Sequence, residues 1–170
     1  MDTCEECGFT YRLGQAETAG PSIVEAADRL AAVLGDVDGA ELRRRREPDV
    51  WSPLEYACHV RDVFLVQRER VIAARRVDRP AFEPMGRDER VDHDGYAAQD
   101  PVDVARQVGD AAHLFANVLA RLDPPDWERT VVYPYPREVE RTLRWVAVHT
   151  EHEARHHLLD VERQLSTRPT

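Results

Sequence analysis

His149-Thr-Glu-His-Glu-Ala-Arg-His-His-Leu-Leu-Asp160 carries four of the chain's seven histidines, with two Glu and one Asp. It contains no Gly or Pro and is rich in good helix formers, so it predicts a helix. At about 100° per residue, His149, Glu153, His156 and Asp160 share one arc, with His152 and His157 at its margins. Three donor pairs lie one turn apart: 149/153, 152/156 and 153/157. Neutral imidazoles and carboxylates are the usual ligands of a borderline divalent metal, and one helical turn brings such a pair together. The plain alternative is a histidine-bearing helix that faces solvent and holds no metal.

Around this stretch the helix spans about Glu138 to Leu165, with Leu143, Ala147, Ala154, Leu158 and Val161 as its apolar stripe. The histidine arc lies roughly opposite that stripe. Either the histidines are solvated, or the helix is covered on two sides and they face a polar cavity.

Three further helices precede it. Ile23, Ala27, Leu30 and Leu34 recur at helical spacing after Pro21, with Gly35 near the end. Trp51-Ser-Pro-Leu-Glu55 opens the next, with Ser52 as cap, Pro53 in the first turn and Glu55 closing a capping box. This helix is expected to reach about Arg75. His59 shares a face with Glu55, Tyr56, Asp62 and Val63, and Asp62 could orient its ring. A lone histidine on a helix is more often a satisfied packing residue than a ligand. Cys58 points away from that face and reads as a small core residue. Asp100 caps the third helix, whose stripe is Val104, Val108, Ala111, Phe115, Val118 and Leu122. Between them, residues 36–50 read as a polar connection in which Arg43 to Arg46 form a solvated face. Residues 77–99 read as a long surface loop, with His93 solvated. Residues 123–140 read as a connection in which Thr130-Val-Val-Tyr133 is extended without an evident partner strand.

Near the amino terminus, Cys4-Glu-Glu-Cys7-Gly8 resembles one knuckle of a zinc ribbon, and no second Cys-x-x-Cys follows. His152 and His156 could complete a closed Cys2His2 site, and the alternative is an acidic tail with two solvated thiols. The expected organisation is therefore an amino-terminal segment over residues 1–18 and a helical domain over residues 19–166.

The chain has 170 residues, enough for one ordinary domain, and a net charge of −9. That charge argues against nucleic acid or an anionic membrane as the main partner. All 23 basic residues are Arg. No apolar run approaches the ~20 residues of a membrane span. The acidic start Met-Asp-Thr-Cys lacks a signal peptide's basic and apolar regions, so a cytoplasmic location is expected. Three cysteines there are not expected to build a disulfide framework.

Two segments give the chain a family resemblance. Trp51-Ser-x-x-Glu55-x-x-x-His59-x-x-Asp62 resembles the second-helix signature of the DinB-like superfamily of metal-binding four-helix bundles. Glu153-x-x-x-His157-x-x-Asp160, with His149 upstream, resembles its last-helix signature. That superfamily includes mycothiol-dependent maleylpyruvate isomerases and bacillithiol S-transferases. The resemblance implies an all-α four-helix bundle of DinB type with long connections, preceded by the short Cys-x-x-Cys extension.

It also implies metal ligands His59, Glu153 and His157, with Asp62 and Asp160 orienting them and His149 or His156 carrying a proton. A slide of one residue would give His59, His152 and His156 instead. The activity implied is that of an enzyme in which a divalent metal, zinc by preference, activates mycothiol or a similar small thiol toward a small electrophile. S-transfer or isomerisation would follow. A non-catalytic module closed by Cys4, Cys7, His152 and His156 is the other reading. Homodimers are common among such bundles, though no feature of this sequence demands one.

Overall fold

The computed structural model describes residues 2–134 and 137–166. Met1 of the amino-terminal segment, and Tyr135 and Pro136 of the last connection, lie outside the described residues. Four long helices form the body: α1 (Ala19–Asp36), α2 (Pro53–Arg76), α3 (Pro101–Leu119) and α4 (Leu143–Ser166). α1 and α2 each pack against both α3 and α4. Long connections are what let consecutive helices avoid a simple up-and-down order.

Local chemistry sets the helix starts. Ser52 Oγ accepts the Glu55 backbone N–H at 3.3 Å, and Glu55 Oε2 accepts the Ser52 N–H at 2.7 Å. The same carboxylate is held by Arg45 at 2.8 and 2.7 Å, so the arginine run is not merely a solvated face. Asp100 accepts from the N–H groups of Val102 and Asp103, with Pro101 at the first helical position. Ser52 is fully buried. Ser52→Ala therefore leaves a buried N–H without a partner and should cost about 1–2 kcal/mol of stability in a urea titration.

The core is drawn from the predicted stripes. Ile23, Leu30, Leu34, Val104, Val108 and Phe115 are all 2 % exposed or less. On α2, Leu54, Val60, Phe64 and Val71 face inward, as do Leu143, Val146, Ala147 and Val161 on α4. Cys58 is buried, and burial pushes its thiol up to about 12, so it stays an inert packing group.

Residues 36–50 also hold a short helix, Gly39–Leu42, with Leu42 fully buried, and two further connections differ from expectation. Residues 77–99 contain a helix at Arg87–His93 and a 3-10 turn at Tyr96–Ala98. Val91 and the fully buried Tyr96 pin this segment to the bundle, which mixed polar composition conceals. His93 is exposed, as expected.

Strand β1 (Thr130–Tyr133) does have a partner, β2 (Val139–Thr142), antiparallel with Thr130 opposite Thr142 and Tyr133 opposite Val139. α4 thus begins at Leu143 rather than near Glu138. Four residues are too few to separate a strand from a helical turn by periodicity. Among the described residues, no helix is long and apolar enough to cross a membrane.

Candidate metal centre

His59 projects from the second turn of α2, while Glu153 and His157 sit one turn apart on α4. His59 Nε2 lies 3.9 Å from Glu153 Oε2, and His157 Nε2 lies 3.6 Å from the same oxygen. One ligand atom from each of the three residues falls within 4.8 Å of the other two. These gaps are long for hydrogen bonds but near the roughly 3.4 Å between ligands sharing a zinc at bonds of about 2.0–2.2 Å. His59 is 2 % exposed and its Nδ1 is buried without a partner. His157 Nδ1 donates to Asp160 Oδ2 at 3.0 Å, which points Nε2 toward Glu153, where it would ligate a cation on giving up its proton. Donor types, spacing and this outer carboxylate fit a small divalent cation with coordination positions left open.

Electrostatics in the metal-free chain agree. Burial alone would raise Glu153, but His152, His157 and His59 around it hold its carboxyl well below the usual range. Burial opposes charge on His157, yet Asp160 and Glu153 push it up to about 9. Burial takes His149 down to about 4, so its ring is neutral at neutral pH. These are three titratable groups driven apart by their surroundings, which is common at reactive sites.

Asp62 does not orient His59. Its carboxylate is taken by Arg61 at 2.8 Å, Arg90 at 3.0 Å and the Tyr96 hydroxyl at 2.6 Å. Asp62 instead ties the 77–99 connection to the bundle.

His149 stacks on Trp145 with ring centroids 4.4 Å apart, and its Nδ1 meets the Tyr11 hydroxyl at 2.8 Å. Its Nε2 lies 3.9 Å from Glu153 Oε1. His152 and His156 do not join His59. They turn toward the amino terminus, where one ligand atom from each of Cys4, Cys7, His152 and His156 lies within 4.8 Å of the others. Cys4 Sγ is 3.7 Å from His156 Nδ1. The Cys7 N–H holds the Cys4 thiol down to about 6, with burial opposing and His152 helping, whereas burial raises Cys7. The two one-turn pairs open to the sequence thus face different partners, 153/157 toward His59 and 152/156 toward Cys4 and Cys7, and the alternative set of His59 with His152 and His156 is not assembled.

A cavity of about 520 Å³ lies over His59, Glu153 and His157, a volume suited to a small-molecule ligand. His149, Tyr133, Arg87 and Arg70 line its walls. Arg70 is 5 % exposed, and its guanidinium lies 4.8 Å from the Tyr133 ring and 5.5 Å from the Phe82 ring. It donates to the Glu83 carbonyl at 3.0 Å and reaches Gln67 Oε1 at 3.4 Å, and burial lowers its pKa. Sequence reasoning did not single out Arg70. The available signal was its spacing. Eleven residues beyond His59 is about three turns, which puts Arg70 on the same face of α2. Tyr11 was missed too, because nothing in the sequence ties residue 11 to the last helix.

The sequence model of the DinB superfamily matches residues 22–161. No curated protein matches the chain. Among solved structures, YfiT from Bacillus subtilis aligns with a TM-score of 0.77 at 14% identity, over 98% of this chain and 94% of that one. YfiT is described as a probable metal-dependent hydrolase with an unusual four-helix bundle topology. At this identity the likeness establishes a shared four-helix bundle fold.

Proposed function

Since the chain belongs to the DinB superfamily, we propose that it is a metal-dependent enzyme acting through His59, Glu153 and His157. These three would hold a divalent cation, zinc by donor type, to activate a low-molecular-weight thiol such as mycothiol. The thiol would add to a small electrophile, giving S-transfer or isomerisation. The carrying observation is the convergence of three donors from two helices at the floor of a 520 Å³ cavity. Three protein ligands leave room for an exogenous one, which separates catalytic from structural centres. Bound there, the cation supplies the charge that makes a coordinated thiol a thiolate at neutral pH.

The chain's own residues divide the remaining work. Asp160 fixes the His157 ring. His156 has one ring nitrogen toward Cys4 and the other 3.3 Å from Glu6 Oε2. His149, neutral and lining the cavity, is therefore the better proton carrier of the two. Arg70 would bind an anionic end of the electrophile, since it is a buried cation held by the neutral Glu83 carbonyl and Gln67 amide oxygen. Arg70→Met should then raise KM for a carboxylate-bearing substrate roughly 10- to 100-fold, the loss of one charge-assisted contact. A neutral electrophile should be unaffected. Stability should hold, because a desolvated cation without a carboxylate contributes little to folding.

The resemblance to thiol-dependent relatives supports the thiol as nucleophile, while the likeness to YfiT favours a second reading, hydrolysis by activated water. Assays with purified metal-loaded protein separate them. Loss of electrophile that requires both metal and added mycothiol is the expected result. Metal-dependent ester or amide cleavage without thiol would replace it with the hydrolytic reading.

A further inference from the structure

We propose that Cys4, Cys7, His152 and His156 form a closed zinc site, separate from the open centre and coexisting with it, that clamps the amino-terminal knuckle onto α4. The family match begins at residue 22 and so leaves the cysteines outside it. The function proposed above uses none of these four residues as metal ligands.

Backbone geometry supports the knuckle. The Gly8 N–H donates to the Cys4 carbonyl at 2.8 Å, and the Cys4 N–H donates to the Phe9 carbonyl at 2.8 Å. Gly8 adopts φ +73°, the left-handed conformation that glycine takes without steric cost. Thr3 and Thr10 bridge in antiparallel fashion across the turn. Both thiols are thereby presented on one side, facing α4.

The histidines meet them with their correct atoms. Around a tetrahedral zinc, with bonds of about 2.3 Å to sulfur and 2.0 Å to nitrogen, sulfur and nitrogen stand roughly 3.5 Å apart. Cys4 Sγ and His156 Nδ1 are 3.7 Å apart. A thiol–imidazole hydrogen bond could account for that pair alone. It leaves His152 Nε2 buried and without a hydrogen-bond partner, although four such ligand atoms lie within 4.8 Å of one another. A buried polar atom is seldom left so, and a cation between the four satisfies it.

The outer nitrogens complete the pattern expected of ligating imidazoles. His152 Nδ1 can donate to the Tyr11 oxygen at 3.0 Å, and Tyr11 in turn donates to His149 Nδ1 at 2.8 Å. His156 Nε2 faces Glu6 Oε2 at 3.3 Å and Asp160 Oδ2 at 3.5 Å. Two thiolates and two imidazoles fill a tetrahedron, so the site is structural. Its effect reaches the cavity through Tyr11, whose hydroxyl holds His149.

Zinc-edge X-ray absorption on the full chain, dialysed free of small thiols, tests this directly. A sulfur shell at about 2.3 Å is expected beside nitrogen and oxygen at about 2.0 Å. Cys4→Ser/Cys7→Ser should lose the sulfur shell and one equivalent of zinc while helicity is retained. His59→Ala/His157→Ala should lose the other equivalent and keep the sulfur. Absence of sulfur around zinc in the unaltered protein, or recovery of a Cys4–Cys7 disulfide, overturns the proposal without any variant. Loss of the sulfur shell in a folded His59→Ala/His157→Ala protein overturns it as well. A sulfur shell found with no second zinc equivalent upholds this site and removes the open one, so the two readings fail separately.

Discussion

On the proposed function, His59→Ala and His157→Ala should each abolish catalysis and empty the open centre, with metal affinity there expected to fall by at least about a hundredfold. The reasoning is geometric. Three donors are the fewest that hold a cation tightly, so removal of one leaves two, on one helix or split between helices. Neither pair surrounds a cation. Asp160→Asn gives the graded comparison. It weakens the hydrogen bond that fixes His157, and loss of such an outer partner typically costs 10- to 100-fold in metal affinity. Competition against a chromophoric chelator measures all three variants on one scale. Equal affinity in His59→Ala and the parent would remove this centre as the site of chemistry. Folding should survive each change, because the imidazoles are partly unsatisfied without metal, as the unpartnered Nδ1 of His59 indicates.

Phe115→Ala should be the most destabilising single change in the body, at about 3–5 kcal/mol. Phe115 is fully buried on α3, the helix against which both α1 and α2 pack. Its removal opens a cavity at the junction of three helices, none of which can move in without losing its other contacts. A domain of this size has about 5–15 kcal/mol in total, so the variant would be close to its folding limit. Leu114→Ala is the control. Leu114 is 46 % exposed on the same helix, and its loss should stay within about 0.5 kcal/mol. Urea midpoints that fail to separate the two would show that α3 is not central to the core.

The helices could be read from sequence because apolar periodicity and caps are local signals. Ser52, Pro53 and Glu55 announce α2 within four positions, and the stripe from Val104 to Phe115 announces α3. The strand Val139–Thr142 could not be read, since its identity depends on pairing with Thr130–Tyr133 rather than on its own pattern. The same division holds at the site. Glu153 and His157 were visible as a one-turn pair, and His59 through the signature around Ser52 and Glu55. Asp62 was misassigned because its spacing from His59 says nothing of the stronger donors, Arg61, Arg90 and Tyr96, that the fold brings to its carboxylate. Arg70 and Tyr11 depend on which surfaces the fold brings together. The Cys4–Cys7 knuckle raises a contact between the amino terminus and the last helix, but that Tyr11 and the Glu6 carbonyl also meet that helix is seen only in the packing.

The hairpin ahead of α4 has a role that its size does not suggest. The Leu143 N–H is bonded to the Arg129 carbonyl at 2.9 Å, so the helix leaves the hairpin with its rotational phase already set. That phase matters because neighbouring residues at 152/153 and at 156/157 serve two different clients. Turning the helix by a single residue one way would offer His59 the pair 152/156 and leave the cysteines Glu151 and Arg155; the other way would offer the cysteines 153/157 and leave His59 Ala154 and Leu158. The little ribbon acts like the index mark on a dial, and the two sets of donors tolerate very little error in where the dial is started.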